Sequence, residues 1–126
     1  MIFKPVLVER VLAGTKVETR RPVRFNELGG VVACAYEPGR TYAVQPGRGK
    51  RQVARMLVES VHRERVGAVT DAAAVREGFE HAQAFRDYWA MLYGEWTPGT
   101  WVWVIRFRLT DAAPVQPALF AAVPSA

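Results

Sequence analysis

Residues Gly14 to Arg21, GTKVETRR, set a lysine, a threonine and an arginine pair within one short run. Lys16 and Thr19 stand three residues apart, a spacing that can bring an amine to a hydroxyl. A threonine becomes a useful nucleophile only when a base removes its proton. A lysine serves as that base only when burial or neighbouring cations, here Arg20 and Arg21, push its pKa down. The alternative for the same residues is a solvated lysine and a threonine that simply favours a strand. Glu77 stands immediately before Gly78, at the C-terminal end of an expected helix, where a carboxylate opposes the helix dipole.

A second set of residues has the chemistry to meet phosphate and bases. Arg20, Arg21, Arg24, Arg48, Lys50, Arg51 and Arg55 crowd the first half of the chain, which carries 13 basic against 6 acidic residues up to Val66, whereas the rest carries 4 against 6. Guanidinium forks and turn amides suit phosphate oxygens, and Tyr36, Tyr42 or Phe25 could stack on an unpaired base; a plain solvated basic face is the competing reading. The loop PGRGK resembles a phosphate loop but lacks the spacing of the nucleotide-binding version and does not lead into a helix.

The elements that must position these residues follow from periodicity. Pro5 opens a helix with Leu7, Val8, Val11 and Leu12 on one face and Gly14 as its stop, and an extended segment runs from Lys16 to Pro22. Residues 23 to 40 read as a long connection with at most a brief strand. TYAVQ, Thr41 to Gln45, is a short strand. QVARMLVESVHRERV is a long one, with Ala54, Met56 and Val58 on one face. Thr70 N-caps a short helix that stops at Gly78. A second helix carries Ala82, Phe85, Trp89 and Leu92 and stops at Gly94. TWVWVIRFRLT closes the set as a strand, with Trp101, Trp103, Ile105, Phe107 and Leu109 on an apolar face and Val102, Val104, Arg106 and Arg108 opposite. Trp89, Trp101 and Trp103 are expected in the core, and Trp96 in its turn is the tryptophan expected to touch a ligand or cover the barrel mouth.

These elements predict one α+β domain over residues 1–110, with the strands curled into a small open barrel, followed by a flexible Ala/Pro-rich tail over 111–126. The formal charge of +5 in 126 residues points to nucleic acid or another polyanion as partner. The single cysteine, Cys34, excludes an internal disulfide framework and, with only two histidines, argues against a structural metal or metal cofactor. No apolar run approaches a membrane span, so a soluble cytoplasmic protein is expected. His62, His81 and Cys34 receive no role.

AGTKVETRRP, YAVQPGRGK, the VREGF segment before a helix bearing DYW, and the VWVIRF strand together resemble the ASCH domain, a small β-barrel of the PUA-like superfamily. The resemblance implies a barrel flanked by a short N-terminal helix and a two-helix segment before the last strand, and a cleft tied to RNA binding. One branch of that family hydrolyses the amide of N(4)-acetylcytidine without metal, and the resemblance to it implies that Lys16 is the base, Thr19 the nucleophile and Glu77 the residue that holds or charges the lysine. Arg20, Arg21, Tyr42, Gln45, Arg48 and Lys50 would then bind substrate or RNA. The insert over 23–40 and the QPGRGK loop depart from the compact hydrolase pattern. A non-catalytic RNA- or nucleotide-binding module and a metal-independent ribonuclease are the alternatives, and the acyl group, substrate size and oligomeric state stay open.

Overall fold

The structure is a computed structural model in which residues 1–110 are described; the tail expected over 111–126 lies outside the described residues. Helix α1 spans Pro5–Leu12, with Pro5 in its first turn, where a missing N–H costs nothing. Leu7, Val8 and Val11 are buried, whereas Leu12 is exposed. Gly14 follows at φ 80°, turning the chain into strand β1, Glu18–Pro22. The long connection then holds only an isolated bridge between Phe25 and Val31 before β2, Thr41–Val44. Strand β3, Ala54–Arg65, is followed by a 3-10 turn at Val66–Ala68 and then by α2, Asp71–Arg76, whose N-cap Thr70 accepts a hydrogen bond from the Ala73 amide. Helix α3 runs Ala82–Tyr93, is N-capped by His81 and ends at Gly94 with φ 90°; strand β4, Trp101–Leu109, closes the order.

The four strands form one antiparallel sheet in the order β1-β4-β3-β2. This sheet is open, so the expected barrel is not closed. The chain start pairs next to β2, with the Phe3 amide donating to the Gln45 carbonyl and the Gln45 amide to the Met1 carbonyl, each at 2.9 Å. Strand β1 is left as the opposite edge.

Helices cover both faces. On one, Val58, Ile105 and Phe107 pack with Met56, Phe3 and the α1 residues Leu7, Val8 and Val11; on the other, Val102 and Val104 pack with Ala73, Ala74, Phe85 and Trp89 of α2 and α3. A one-residue bulge between Val58 and Ser60 restores the side-chain phase, so that Val61 pairs with Ile105 on the α1 side. Double coverage overturns part of the reading of β4. Its alternation is as expected, but Val102 and Val104 are core residues, while Trp101 is exposed and Trp103 is only half-buried against the core on the α1 side. Arg65 and Arg63 lie over these two indoles, with guanidinium-to-centroid distances of 4.4 and 5.8 Å.

Candidate active site at the open edge of the sheet

A cavity of about 400 Å³ opens where the free edge of β1 meets the chain start, the loop Pro46–Arg48 and the inner face of α3. Phe3 lines one side, and Phe79, Tyr88, Trp89 and Tyr93 line another. Phe79 is held by tilted and edge contacts to Tyr88 and Phe85, at 5.2 and 5.8 Å between centroids, so this aromatic wall is fixed by its own packing. Burial raises the pKa of Tyr88 and of Tyr93, keeping both phenols neutral and able to donate.

The cavity's polar floor joins the ends of two helices. Lys16 follows α1 and is 1% exposed; Glu77 follows α2 and is 3% exposed. The Lys16 Nζ donates to Glu77 Oε1 at 2.8 Å, to the Glu77 carbonyl at 2.9 Å and to the Glu18 carbonyl at 2.9 Å. All three ammonium protons are thereby used. The lysine sits at the C-terminal end of α2, where a cation is favourable, and it removes the dipole penalty that makes Glu77 look misplaced in the sequence. Burial lowers the Lys16 pKa; the Glu77 carboxylate opposes that shift without cancelling it. Gly78 makes the close approach feasible: its φ is 97°, and a Cβ there would meet Lys16 Cβ and Arg10 Cδ at 3.2 Å each.

Arg20 extends the network. Its Nη1 donates to Glu18 Oε2 at 2.6 Å and to Glu77 Oε2 at 3.1 Å, and its Nε donates to Glu64 Oε2 at 3.0 Å. Glu18 Oε1 accepts from Arg76 at 3.1 Å and from Arg106 at 3.0 Å. Burial works to raise the pKa of Glu18, but hydrogen bonds from Arg20, Arg106 and Arg76 outweigh it and hold the carboxyl below its ordinary range. For Arg20, burial opposes the charge while Glu77, Glu18 and Glu64 sustain it, and the net shift is upward. Arg20 is thus a buried structural cation in its side chain, already satisfied by carboxylates.

Side chains alternate along β1, so Thr19 projects to the face opposite Glu18 and Arg20, beside Ile105, its cross-strand partner. Thr19 is 5% exposed, lines the cavity, and among the described residues its hydroxyl has no hydrogen-bond partner. Arg21 shares that face, with its guanidinium 5.4 Å from the Phe3 ring centroid and Nη2 donating to the Ile2 carbonyl at 2.7 Å.

Lys16, Thr19, Glu77, Arg20, Arg21 and Arg48 therefore line one cavity, whereas Tyr42, Gln45 and Lys50 do not reach its wall. The Tyr42 hydroxyl accepts from the Glu37 amide at 2.8 Å, its ring packs edge-on against Tyr36, and Gln45 donates from Nε2 to the Lys50 carbonyl at 3.0 Å. Trp96, expected to touch a ligand or cover the barrel mouth, does not line this cavity; it packs at right angles to Phe85 and lines a separate hollow with Gly67 and Pro98. Two groups of site residues escaped the sequence reading. Glu18 was overlooked because a carboxylate between Lys16 and Arg20 looks like a strand's solvated face, and the aromatic wall because Phe79, Tyr88 and Tyr93 are far from the motif. Among the described residues, no group of three or more His, Cys, Asp or Glu is placed to hold a metal ion, and no helix is long and apolar enough to cross a membrane.

No family model matches the sequence, and neither does any curated protein. Solved structures do match. The ASCH domain from Lactobacillus crispatus JV V101 is 17% identical and superposes with a TM-score of 0.60 over 82% of this chain and 70% of its own. A DUF984 protein from Enterococcus faecalis V583 is likewise 17% identical, with a TM-score of 0.56 over 84% of this chain and 68% of its own. With the open antiparallel sheet, its three helices and the edge cavity in place, the chain has the fold of the ASCH domain.

Proposed function

We propose that the cavity binds a nucleoside, free or within RNA, and hydrolyses an acyl amide on its base, as in an acylated cytidine. The observation that carries this reading is the placement of Thr19: a buried hydroxyl, unengaged by protein among the described residues, in the cavity that the Lys16–Glu77 pair also lines. The aromatic wall suits a stacked base, and Arg21 and Arg48 at the rim suit a phosphate or ribose. In the reaction, Thr19 Oγ1 attacks the acyl carbon while its proton passes to the Lys16 Nζ. The bond from the acyl carbon to the exocyclic nitrogen breaks as that nitrogen takes the proton. Water then cleaves the threonine ester and releases the acid. Lys16 must enter this cycle as a neutral amine, and its burial shifts it in that direction. On losing one proton it gives up one of its three acceptors, and Glu77 retains it in place.

One observation favours a second reading. An ammonium with three satisfied donors is a structural cation, which fits a module that binds RNA without reacting. Thr19→Ala separates the two. On the hydrolase reading, product formation from N(4)-acetylcytidine, followed by mass, drops at least about a hundredfold while binding of the unreactive product is unchanged; undiminished turnover refutes the covalent route.

A further inference from the structure

The edge of β1 also presents its backbone to the cavity. The Phe107 amide donates to the Val17 carbonyl and the Val23 amide to the Trp101 carbonyl, both at 2.9 Å. In this register the odd-numbered residues face β4, Thr19 and Arg21 as hydrogen-bonded pairs with Ile105 and Trp103 and Val17 and Val23 through one bond each, while the Val17 amide donates to the Arg76 carbonyl at 2.8 Å. The N–H and C=O groups of Glu18, Arg20 and Pro22 therefore point the other way, to the open edge. Two of these three positions cannot complete a pair. The Glu18 carbonyl is taken by Lys16 Nζ, and Pro22 has no N–H. Arg20 alone in β1 offers both a donor and an acceptor. It is 6% exposed, it lines the cavity, and among the described residues neither its amide nor its carbonyl has a partner. A buried peptide with both groups unpaired costs more than a made hydrogen bond returns, so a ligand that satisfies both is strongly selected.

We infer that the Arg20 peptide groups read the edge of a planar heterocycle that carries a hydrogen-bond acceptor and donor side by side. This inference rests on the nucleoside reading of the cavity. For cytosine, N3 accepts from the Arg20 N–H and N4–H donates to the Arg20 carbonyl, while the ring lies within reach of the aromatic wall. A single donor–acceptor pair suits a base better than an added peptide strand, which needs such a pair at every second residue and finds only one here. The specificity determinant is thus main chain, and Arg20 is fixed in position by the three carboxylates that hold its side chain.

The test uses the intact chain, labelled with nitrogen-15 and titrated with cytidine, with 3-deazacytidine, which replaces the N3 acceptor by C–H at nearly constant shape, and with N4,N4-dimethylcytidine, which has no donor. The expected result is a downfield shift and slowed hydrogen exchange of the Arg20 amide with cytidine, and binding at least about tenfold weaker for each analogue. If cytidine perturbs Tyr88, Tyr93 and Trp89 but leaves the Arg20 amide unmoved, and all three nucleosides bind alike, the backbone reading is overturned and the cavity reading survives. If no nucleoside perturbs the cavity residues at millimolar concentration, the cavity reading falls and this inference with it. If an extended pentaalanine peptide shifts the Arg20 amide and cytidine does not, strand addition replaces base reading.

Discussion

Replacing Glu77 with glutamine removes the charge that holds Lys16 in the core while keeping nearly the same volume. Lys16 is 1% exposed and would keep two backbone carbonyls as acceptors, but no carboxylate. Arg20 loses one of its three carboxylates and keeps Glu18 and Glu64. Breaking a buried pair from one side costs about 3–5 kcal/mol. The retained partners place Glu77→Gln near the lower figure, roughly 3 kcal/mol, a large share of the roughly 5–15 kcal/mol that a domain has in total. With urea slopes of about 1–3 kcal/mol per molar, the midpoint of unfolding should fall by roughly 1–3 M. Tryptophan fluorescence is a suitable probe, because Trp89 is buried in the core. The deficit should also depend on pH. The folded-state pKa of Lys16 already lies below its ordinary 10.5, and losing Glu77, which raises it, lowers it further. Below the variant's folded pKa the lysine is charged in both proteins and its full share of the deficit is present. That share shrinks as pH rises from the variant's folded pKa to the wild-type one, above which both folded proteins hold a neutral amine. The part due to Arg20 does not titrate. A loss under about 1 kcal/mol, or a deficit that does not shrink as pH is raised toward 10.5, refutes the assignment of Lys16–Glu77 as a buried charged pair.

Lys16→Met should cost less than Glu77→Gln in the same urea assay, because Glu77 keeps Arg20 as partner at 3.1 Å and a buried amine is exchanged for an apolar chain. Gly78→Ala should lower stability by about 1–2 kcal/mol, since alanine is strained at φ 97° and its methyl meets Lys16 and Arg10; an unchanged melting temperature would contradict the close approach. Glu18, with its folded-state pKa depressed, contributes stability that is fully present above its unfolded pKa and is lost as pH falls through the folded one. Acid titration of Glu18→Gln should therefore show a shallower loss in that window than wild type. Arg48→Glu should weaken nucleotide or RNA binding and flatten its dependence on salt while leaving the melting temperature unchanged, as the residue lines the cavity from a loop.

The sequence by itself determined the elements. Pro5, Gly14, Thr70, Gly78 and Gly94 mark helix starts and stops through local backbone chemistry, the β-branched Val17 and Thr19 before Pro22 mark β1, and alternation marks β3 and β4. It also singled out Lys16, Thr19 and Glu77, through the motif and through a carboxylate placed against its helix dipole. Which side chains the strands bury was a tertiary matter. A period of two says which residues share a face but not what covers it, and helices on both sides turn Val102 and Val104 inward and leave Trp101 to solvent. The edge was beyond sequence reading for the same reason. Strand order β1-β4-β3-β2 comes from pairings across most of the chain, and that order leaves one edge of β1 unpaired, lets Lys16 reach Glu77 sixty-one residues away, and turns the Arg20 peptide toward the cavity. Local propensity carries no information about such distant partners, because they are selected by the burial that the whole fold achieves.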